Sequence, residues 1–525
     1  AWVQSGELWG RIDKTGKTVI PCLYSEIGEP DERGWMRVLR DGKWGVLRQD
    51  GEVVVPCAYN LIGDVYAGYM SGTNNWNGGV NTQIYALNGT NWCNVPFSES
   101  FTNVMPAWLQ LKYAHANGLL SDDIFAVANI LKVMSLHRVS DIYGPLPVLH
   151  FGETENPYNS QEECYMHFFE TLDSAIAVLK DVVENNPDAK PLEEVDALYH
   201  GDYSKWLKLA NSVKLRLAMR ICYVKPDLAK QYAMEAVRDG VMETADDSAL
   251  FQSWGSITII NPLEKIWNGY SDTRMGASMD SYLNGYNDPR LPVYFQPVTE
   301  GDNKGEYRGV ANGMPNPQQD DYKAMSAPNV QEKSTDSPLR WMMASDVVLF
   351  PSHSEGAMRG WTAEMGGTAE EFYNKGIELS FLENGLSADA AARYAADETS
   401  KPTDFTDVSA ANTKYNISAL GKITIKWNAG ASEEEQLERI ITQKWIAMFP
   451  NGTEAWSEFR RTGYPLIFPV RSNYPTSGVD TNKQIRRMVF PQSEYSNNGA
   501  AVQEAVNLLG GPDNGGTKLW WDKKN

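Results

Sequence analysis

From about residue 97 onward, apolar side chains recur every three or four positions in long runs, the spacing of a helix with one buried face. Ile124, Val127, Leu131 and Met134 form one such ladder behind Ser121, a residue suited to an N-cap. Tyr165, Phe168, Phe169, Leu172, Ile176, Leu179 and Val182 form a second. Trp206, Ala210, Val213, Leu217 and Ile221 form a third, and Tyr232, Ala236 and Val237 mark a shorter helix ending at Gly240. Further helices are expected over 368–384 and 433–449. Consecutive amphipathic helices with brief Pro, Gly or Asp connections favour antiparallel pairs. Stacked pairs wind into a right-handed superhelix of TPR type, although no clean repeat of about 34 residues is visible. The expected fold class is therefore mainly α, a TPR-like superhelix with large irregular loops plus a small β-hairpin N-terminal segment.

Three stretches break the helical period. Residues 1–63 carry a repeat with a spacing of 35 residues: Trp9-Gly10 recurs as Trp44-Gly45, Pro21-Cys22 as Pro56-Cys57, Tyr24 as Tyr59 and Ile27-Gly28 as Ile62-Gly63. Each unit reads as a strand, a turn (Lys14-Thr15-Gly16 or Gln49-Asp50-Gly51) and a strand ending at proline. Two units are too few for a free-standing stack, so they should lean on each other or on the main domain. The pattern resembles WG-repeat β modules. Residues 64–96, rich in Gly, Asn and aromatics, read as loops. Residues 251–340 turn irregular again, with Trp254, Trp267, Tyr270, Tyr286, Tyr294 and Tyr307 among eight prolines. Long weakly structured stretches inside a compact domain are usually functional.

Composition narrows the function. The 525 residues carry a net charge of −20, which disfavours nucleic acid because phosphate would be repelled. Nothing approaches the about 18 apolar residues of a membrane span. The chain starts at Ala1 without a signal peptide, as expected of a mature or trimmed form. Cys22, Cys57, Cys93, Cys164 and Cys222 include no CxxC pair, so buried thiols are expected rather than a metal cluster. The histidines are scattered, and Asp64, Asn74 and Asn77 fit no EF-hand spacing. No cofactor is expected.

Catalytic motifs are missing: there is no GxSxG, no P-loop and no dinucleotide fingerprint. With 67 acidic residues no carboxylate pair stands out as glycosidase machinery, and Glu433-Glu434-Glu435 reads as a solvated helix start. Binding has positive support. A sugar offers an apolar C–H face to a flat aromatic and a hydroxyl rim to Asn, Gln, Arg or Asp. The candidate ligand residues are Asn75 and Trp76 in the first loop, and Trp267, Asn268, Tyr270, Arg274 and Tyr307 in the second. For each, the plain alternative is a side chain folded back onto the domain.

Several longer motifs, in one order, resemble a single family. LERIITQKWIAMFPNGTEAWSEFRRTGY at Leu437–Tyr464 is similar to the signature helix and turn of SusD/RagB-type outer-membrane lipoproteins. KVMSLHRVSDIYGPLP at Lys132–Pro147, WLKLANSVKLRLAMR at Trp206–Arg220, Asp288-Pro289-Arg290, GGTAEEFYNKGI at Gly366–Ile377 after Arg359-Gly360-Trp361, and LGGPDNGGTKLWWD at Leu509–Asp522 match as well. Two departures stand out: no lipidated cysteine precedes the WG-like units, and Pro351 interrupts a segment that is helical in the family. The resemblance covers about 64–525 and divides the chain into a WG-repeat-like β segment, 1–63, and a SusD-like α-rich ligand-binding domain, 64–525.

It implies a cell-surface binding protein without catalytic residues, lipid-anchored on the extracellular face of the outer membrane. Such a protein captures an oligosaccharide nutrient and delivers it to a SusC-like TonB-dependent transporter. An oligopeptide ligand, as for RagB-type peptide importers, is the alternative within the family. A degradative enzyme or an adhesion protein are the alternatives from other classes. Within the signature, Trp445, Phe449, Trp456 and Phe459 are expected as core anchors, with Glu454, Glu458, Arg460 and Arg461 in local ion pairs and Arg486-Arg487 doing the same.

Overall fold

The computed structural model describes residues 2–5, 8–12, 18–24, 26–27, 35–40, 43–48, 53–55, 62–74, 81–87, 91–349, 354–356, 359 and 366–524. Helix dominates. After α1 (Ile62–Tyr66) and α2 (Val95–Glu99) come α3 (Met105–Ala116), α4 (Asp122–Tyr143), α5 (Gln161–Asn185), α6 (Tyr203–Arg220) and α7 (Pro226–Asp239). Each ladder read from the sequence lies on one of these helices. Ser160 and Glu163 close a capping box at the start of α5, satisfying two amide donors that the helix itself leaves orphaned. Asp202 caps α6, and α7 stops at Gly240 with φ 95°, a conformation that favours glycine. Leu131 is the exception on its ladder: it is exposed, on the rim of α4.

Successive helices run antiparallel. Gln161 Nε2 donates to the Ser140 carbonyl at 2.8 Å, and Lys132 Nζ, about two turns earlier in α4, lies 3.1 Å from His167 Nε2, about two turns later in α5. Lys214 of α6 bridges Asp173 of α5 (2.6 Å) and Glu235 of α7 (2.7 Å). Helix pairs stacked in this way form the TPR-like superhelix.

The N-terminal residues form two antiparallel sheets. One joins β1 (Trp2–Ser5), β2 (Leu8–Ile12) and β3 (Thr18–Tyr24), and the other β4 (Glu26–Ile27), β5 (Trp35–Arg40), β6 (Lys43–Arg48) and β7 (Val53–Val55). The expected strand pairs are β2–β3 and β6–β7; their turns lie outside the described residues. β7 ends just before Pro56, but β3 runs through Pro21 to Tyr24. Its register with β2 slips there, from Arg11↔Ile20 to Trp9↔Tyr24, because proline has no amide proton to donate to the ladder. Gly63, counted in the repeat, belongs to α1.

Two further helices, Glu433–Ala447 and Gly452–Thr462, hold the signature motif and the centre of the core. Trp445, Phe449, Trp456 and Phe459 are buried. Trp445 Nε1 donates to the Ala67 carbonyl at 2.8 Å and Trp456 Nε1 to that of Ile485 at 3.0 Å. Gly452 crosses α1 backbone to backbone: an ideal Cβ on it would stand 2.3 Å from the Asp64 amide nitrogen, so only glycine fits.

The charged residues of the motif form more than local pairs. Glu454 meets Arg220 of α6 at 2.6 Å, and Glu458 meets Arg220 (2.8 Å), Lys444 (3.0 Å) and Arg461 (2.8 Å). Arg461 also binds Glu355 at 3.0 Å, and Arg220 reaches Asp141 at 3.3 Å. All of these side chains are almost entirely buried. Arg486 pairs with Asp522, while Arg487 pairs with Asp513 and donates to the Tyr143 carbonyl at 2.9 Å. In the DPR turn, Arg290 grips Asp288 at 2.7 Å and Gln443 at 3.0 Å. Beyond residue 343, the helix Ala344–Val348 stops before Pro351, which lies outside the described residues.

Removing one member of a buried, hydrogen-bonded ion cluster leaves the others uncompensated. Glu458→Gln is expected to lower unfolding stability by about 3–5 kcal/mol, measured by denaturant titration. Asp64 behaves in the opposite way. Burial raises its carboxyl from 3.8 to about 7, against a smaller lowering by the Gly452 backbone, and its Oδ1 has no hydrogen-bond partner among the described residues. A carboxyl raised by folding contributes stability below its unfolded value, and that contribution is lost as pH rises through the folded value. Asp64→Asn is therefore expected to raise the melting temperature relative to wild type at pH 8 and to lose that advantage toward pH 4, checked by thermal melts across this window.

Candidate functional site

Two of the irregular loops meet through a short antiparallel pair. β8 (Met70–Gly72) aligns with β10 (Thr273–Met275), with Gly72 opposite Thr273 and Met70 opposite Met275. The pairing continues past the strand ends: the Thr73 amide donates to the Asp272 carbonyl at 3.2 Å, and Asn74 Nδ2 donates to Asp272 Oδ1. Thr73 and Asn74 thus lie beside the 267–272 turn. Asn75 and Trp76 themselves lie outside the described residues.

The turn is built to hold its shape. Lys265–Gly269 is a π-helical turn, a wide winding often found at functional sites. Trp267, half-buried, donates from Nε1 to the Val330 carbonyl at 3.0 Å. Asn268 is exposed and donates to Glu264 Oε1 at 2.6 Å. Tyr270 is 38% exposed, with Lys265 Nζ 5.4 Å from its ring centroid. Ser271 has φ 55°, a costly conformation for a residue with a Cβ. Its carbonyl accepts from Thr73 Oγ1 (2.5 Å) and Gln319 Nε2 (3.3 Å), which hold the turn in place.

Arg274 is not an open ligand hook. It is buried, and its three nitrogens donate to the carbonyls of Lys323, Trp267 and Thr273 at 2.5–3.0 Å. Burial lowers its guanidinium to about 10, with Asp272 acting in the opposite direction. The Asp272 carboxyl is raised by burial, opposed by the Asn74 hydrogen bond and by Arg274. Arg274 thus ties the Trp267 turn to the 319–323 segment from beneath.

Trp267, Asn268 and Tyr270 therefore share one surface region, with Arg274 buried beneath it. Tyr307 packs half-buried on the main core and its carbonyl accepts from Asn284 at 2.8 Å; among the described residues no hydrogen bond or ring contact joins it to the Trp267 turn. Sequence reasoning singled out neither Asp272 nor Gln319, and Asn74 only in a spacing that fits no EF-hand. A three-residue strand pair has too short a pattern to be visible in the sequence. Among the described residues no group of three His, Cys, Asp or Glu is disposed to hold a metal ion, and no helix is long and apolar enough to cross a membrane.

Comparison with known proteins agrees with this architecture. The model for "WG containing repeat" matches residues 9–44. No functionally curated protein matches the chain. Among solved structures, a chitin-binding SusD homologue from Flavobacterium johnsoniae is 39% identical with a TM-score of 0.82, over 88% of this chain and 93% of that one. A SusD-like protein from Bacteroides thetaiotaomicron is 37% identical with a TM-score of 0.82, over 88% and 93%. Another structure, titled a chitin-binding protein, is 26% identical with a TM-score of 0.66, over 88% and 94%. The model described as "Susd and RagB outer membrane lipoprotein" matches residues 46–522, and with it the chain belongs to the SusD-like family.

Proposed function

We propose that this protein captures an oligosaccharide at the outer face of the outer membrane and passes it to a SusC-like TonB-dependent transporter, binding its cargo without cleaving it. The observation that carries this reading is the β8–β10 pairing, which sets a fixed aromatic turn beside Thr73 and Asn74. Trp267 and Tyr270 supply flat apolar area. Asn268 and Asp272 supply polar groups suited to sugar hydroxyls. The turn is rigid before any ligand arrives, so little entropy is lost on binding. A lipid anchor would hold the protein at the outer membrane, in keeping with the family's description as lipoproteins.

Two relatives are titled chitin-binding, so β-1,4-linked N-acetylglucosamine oligomers are the first ligands to test. Tryptophan fluorescence and calorimetry against these oligomers, other glycans and oligopeptides decide the class. Trp267→Ala and Tyr270→Ala are each expected to weaken binding of the preferred glycan about tenfold or more, a loss on the order of 1–3 kcal/mol. Unchanged affinity in both variants, preference for oligopeptides, or cleavage of the ligand would each overturn the reading. Deleting residues 1–61, which leaves α1 intact, is expected to leave the glycan dissociation constant within about twofold of the full chain, within about 0.5 kcal/mol. The same calorimetry checks it, and a larger loss would make the WG-like units part of the site.

A further inference from the structure

A second groove lies on the helical half, where the connection between α5 and α6 meets the loop after β9 (Ala249–Phe251). Its volume is about 660 Å³, and Glu193, Glu194, Val195, Trp254, Gly255 and Ser256 line it. The size falls within the roughly 300–1,000 Å³ of small-ligand sites. Trp254 is 37% exposed yet firmly held. Its Nε1 donates to the Glu193 carbonyl at 2.5 Å, its backbone pairs with Ile257, and His200 backs the ring with centroids 3.6 Å apart. Gly255, at φ 55°, brings the two loops together: a Cβ there would stand 2.7 Å from the Glu194 carbonyl oxygen. The fixed indole therefore stands beside two exposed glutamates. Neither carboxylate has an ion-pair partner among the described residues, and Val195 beside them is 58% exposed.

We propose that this groove is a second ligand site, for a sugar ring carrying a protonated amine, as in glucosamine oligosaccharides. The Trp254 ring covers the apolar C–H face of the pyranose, and Glu193 and Glu194 take the ammonium. The ammonium gains charge-assisted hydrogen bonds from the carboxylates, while the indole face is taken by the sugar's C–H groups. Ser256 is placed to meet a hydroxyl. A rigid pyranose suits this site better than a lysine side chain, because a ring already fixed in shape loses less conformational entropy on a flat platform. The site is independent of the Trp267 turn and does not rest on the ligand class proposed there.

The test titrates the full chain with three probes at mildly acid pH, where sugar amines are protonated: a fully deacetylated chitosan tetramer, the N-acetylated tetramer and tetralysine. The deacetylated tetramer is expected to bind, with affinity falling at least tenfold in Trp254→Ala and in the double variant Glu193→Gln/Glu194→Gln, and falling also with added salt. Trp254→Ala should leave affinity for the N-acetylated tetramer unchanged, which separates failure of this site from failure of the Trp267 face. The proposal is overturned if the deacetylated tetramer does not bind. It is equally overturned if neither folded variant alters its affinity, or if tetralysine binds as tightly with the same sensitivity to both variants.

Discussion

The buried charge cluster on the Gly452–Thr462 helix is the constraint on which the rest of the structure depends. Glu454 and Glu458 accept Arg220, Lys444 and Arg461, and Arg461 is in turn paired with Glu355. Ions taken out of water cost several kcal/mol each unless every partner is in place. The cluster therefore tolerates only one mutual arrangement of α6, the two signature helices and the segment around Glu355. Asp141 carries the network into α4, where it also accepts from Trp521 Nε1 at 2.8 Å. In this way the first third of the chain and its last residues are held to the same centre.

That frame positions the candidate ligand face without touching it. Trp445 reaches from the signature helix to the Ala67 carbonyl, and Tyr69 packs on the same indole with ring centroids 5.2 Å apart. The chain is thus fixed immediately before β8, and β8 fixes β10. Arg274 and Gln319 then hold the aromatic turn against its surroundings through backbone carbonyls. A binding surface gains most when its polar and aromatic groups are oriented by supporting bonds beforehand. The signature motif marks the family because the scaffold requires it, and the proposed ligand face lies in loops that the motif supports.

The helices were legible because a one-faced helix repeats its apolar residues over many turns. α5 shows this over 25 residues. The aromatic anchors Trp445 and Trp456 were legible for a similar reason: large apolar side chains within an amphipathic helix point inward. Residues 64–96, read as loops, also hold α1, β8 and short helical turns. Elements of three to five residues are too short to show a period and are specified by what they pack against. Gly452 illustrates this, since its need for glycine comes from Asp64, hundreds of positions away in the chain.

By itself, the sequence determined the class of the fold, the family and the absence of familiar catalytic motifs, and it singled out the aromatic loops as candidates. These follow from local spacing and side-chain chemistry, which a linear chain displays. Only the tertiary structure decided that Glu454 and Glu458 pair across the core with α6, that Arg274 serves the backbone, and that Tyr307 stands apart from the Trp267 turn. It also decided that Trp254 forms a groove with Glu193 and Glu194. Each of these depends on bringing distant residues within a few ångströms, and no local pattern encodes which distant partner a charge or a ring will find.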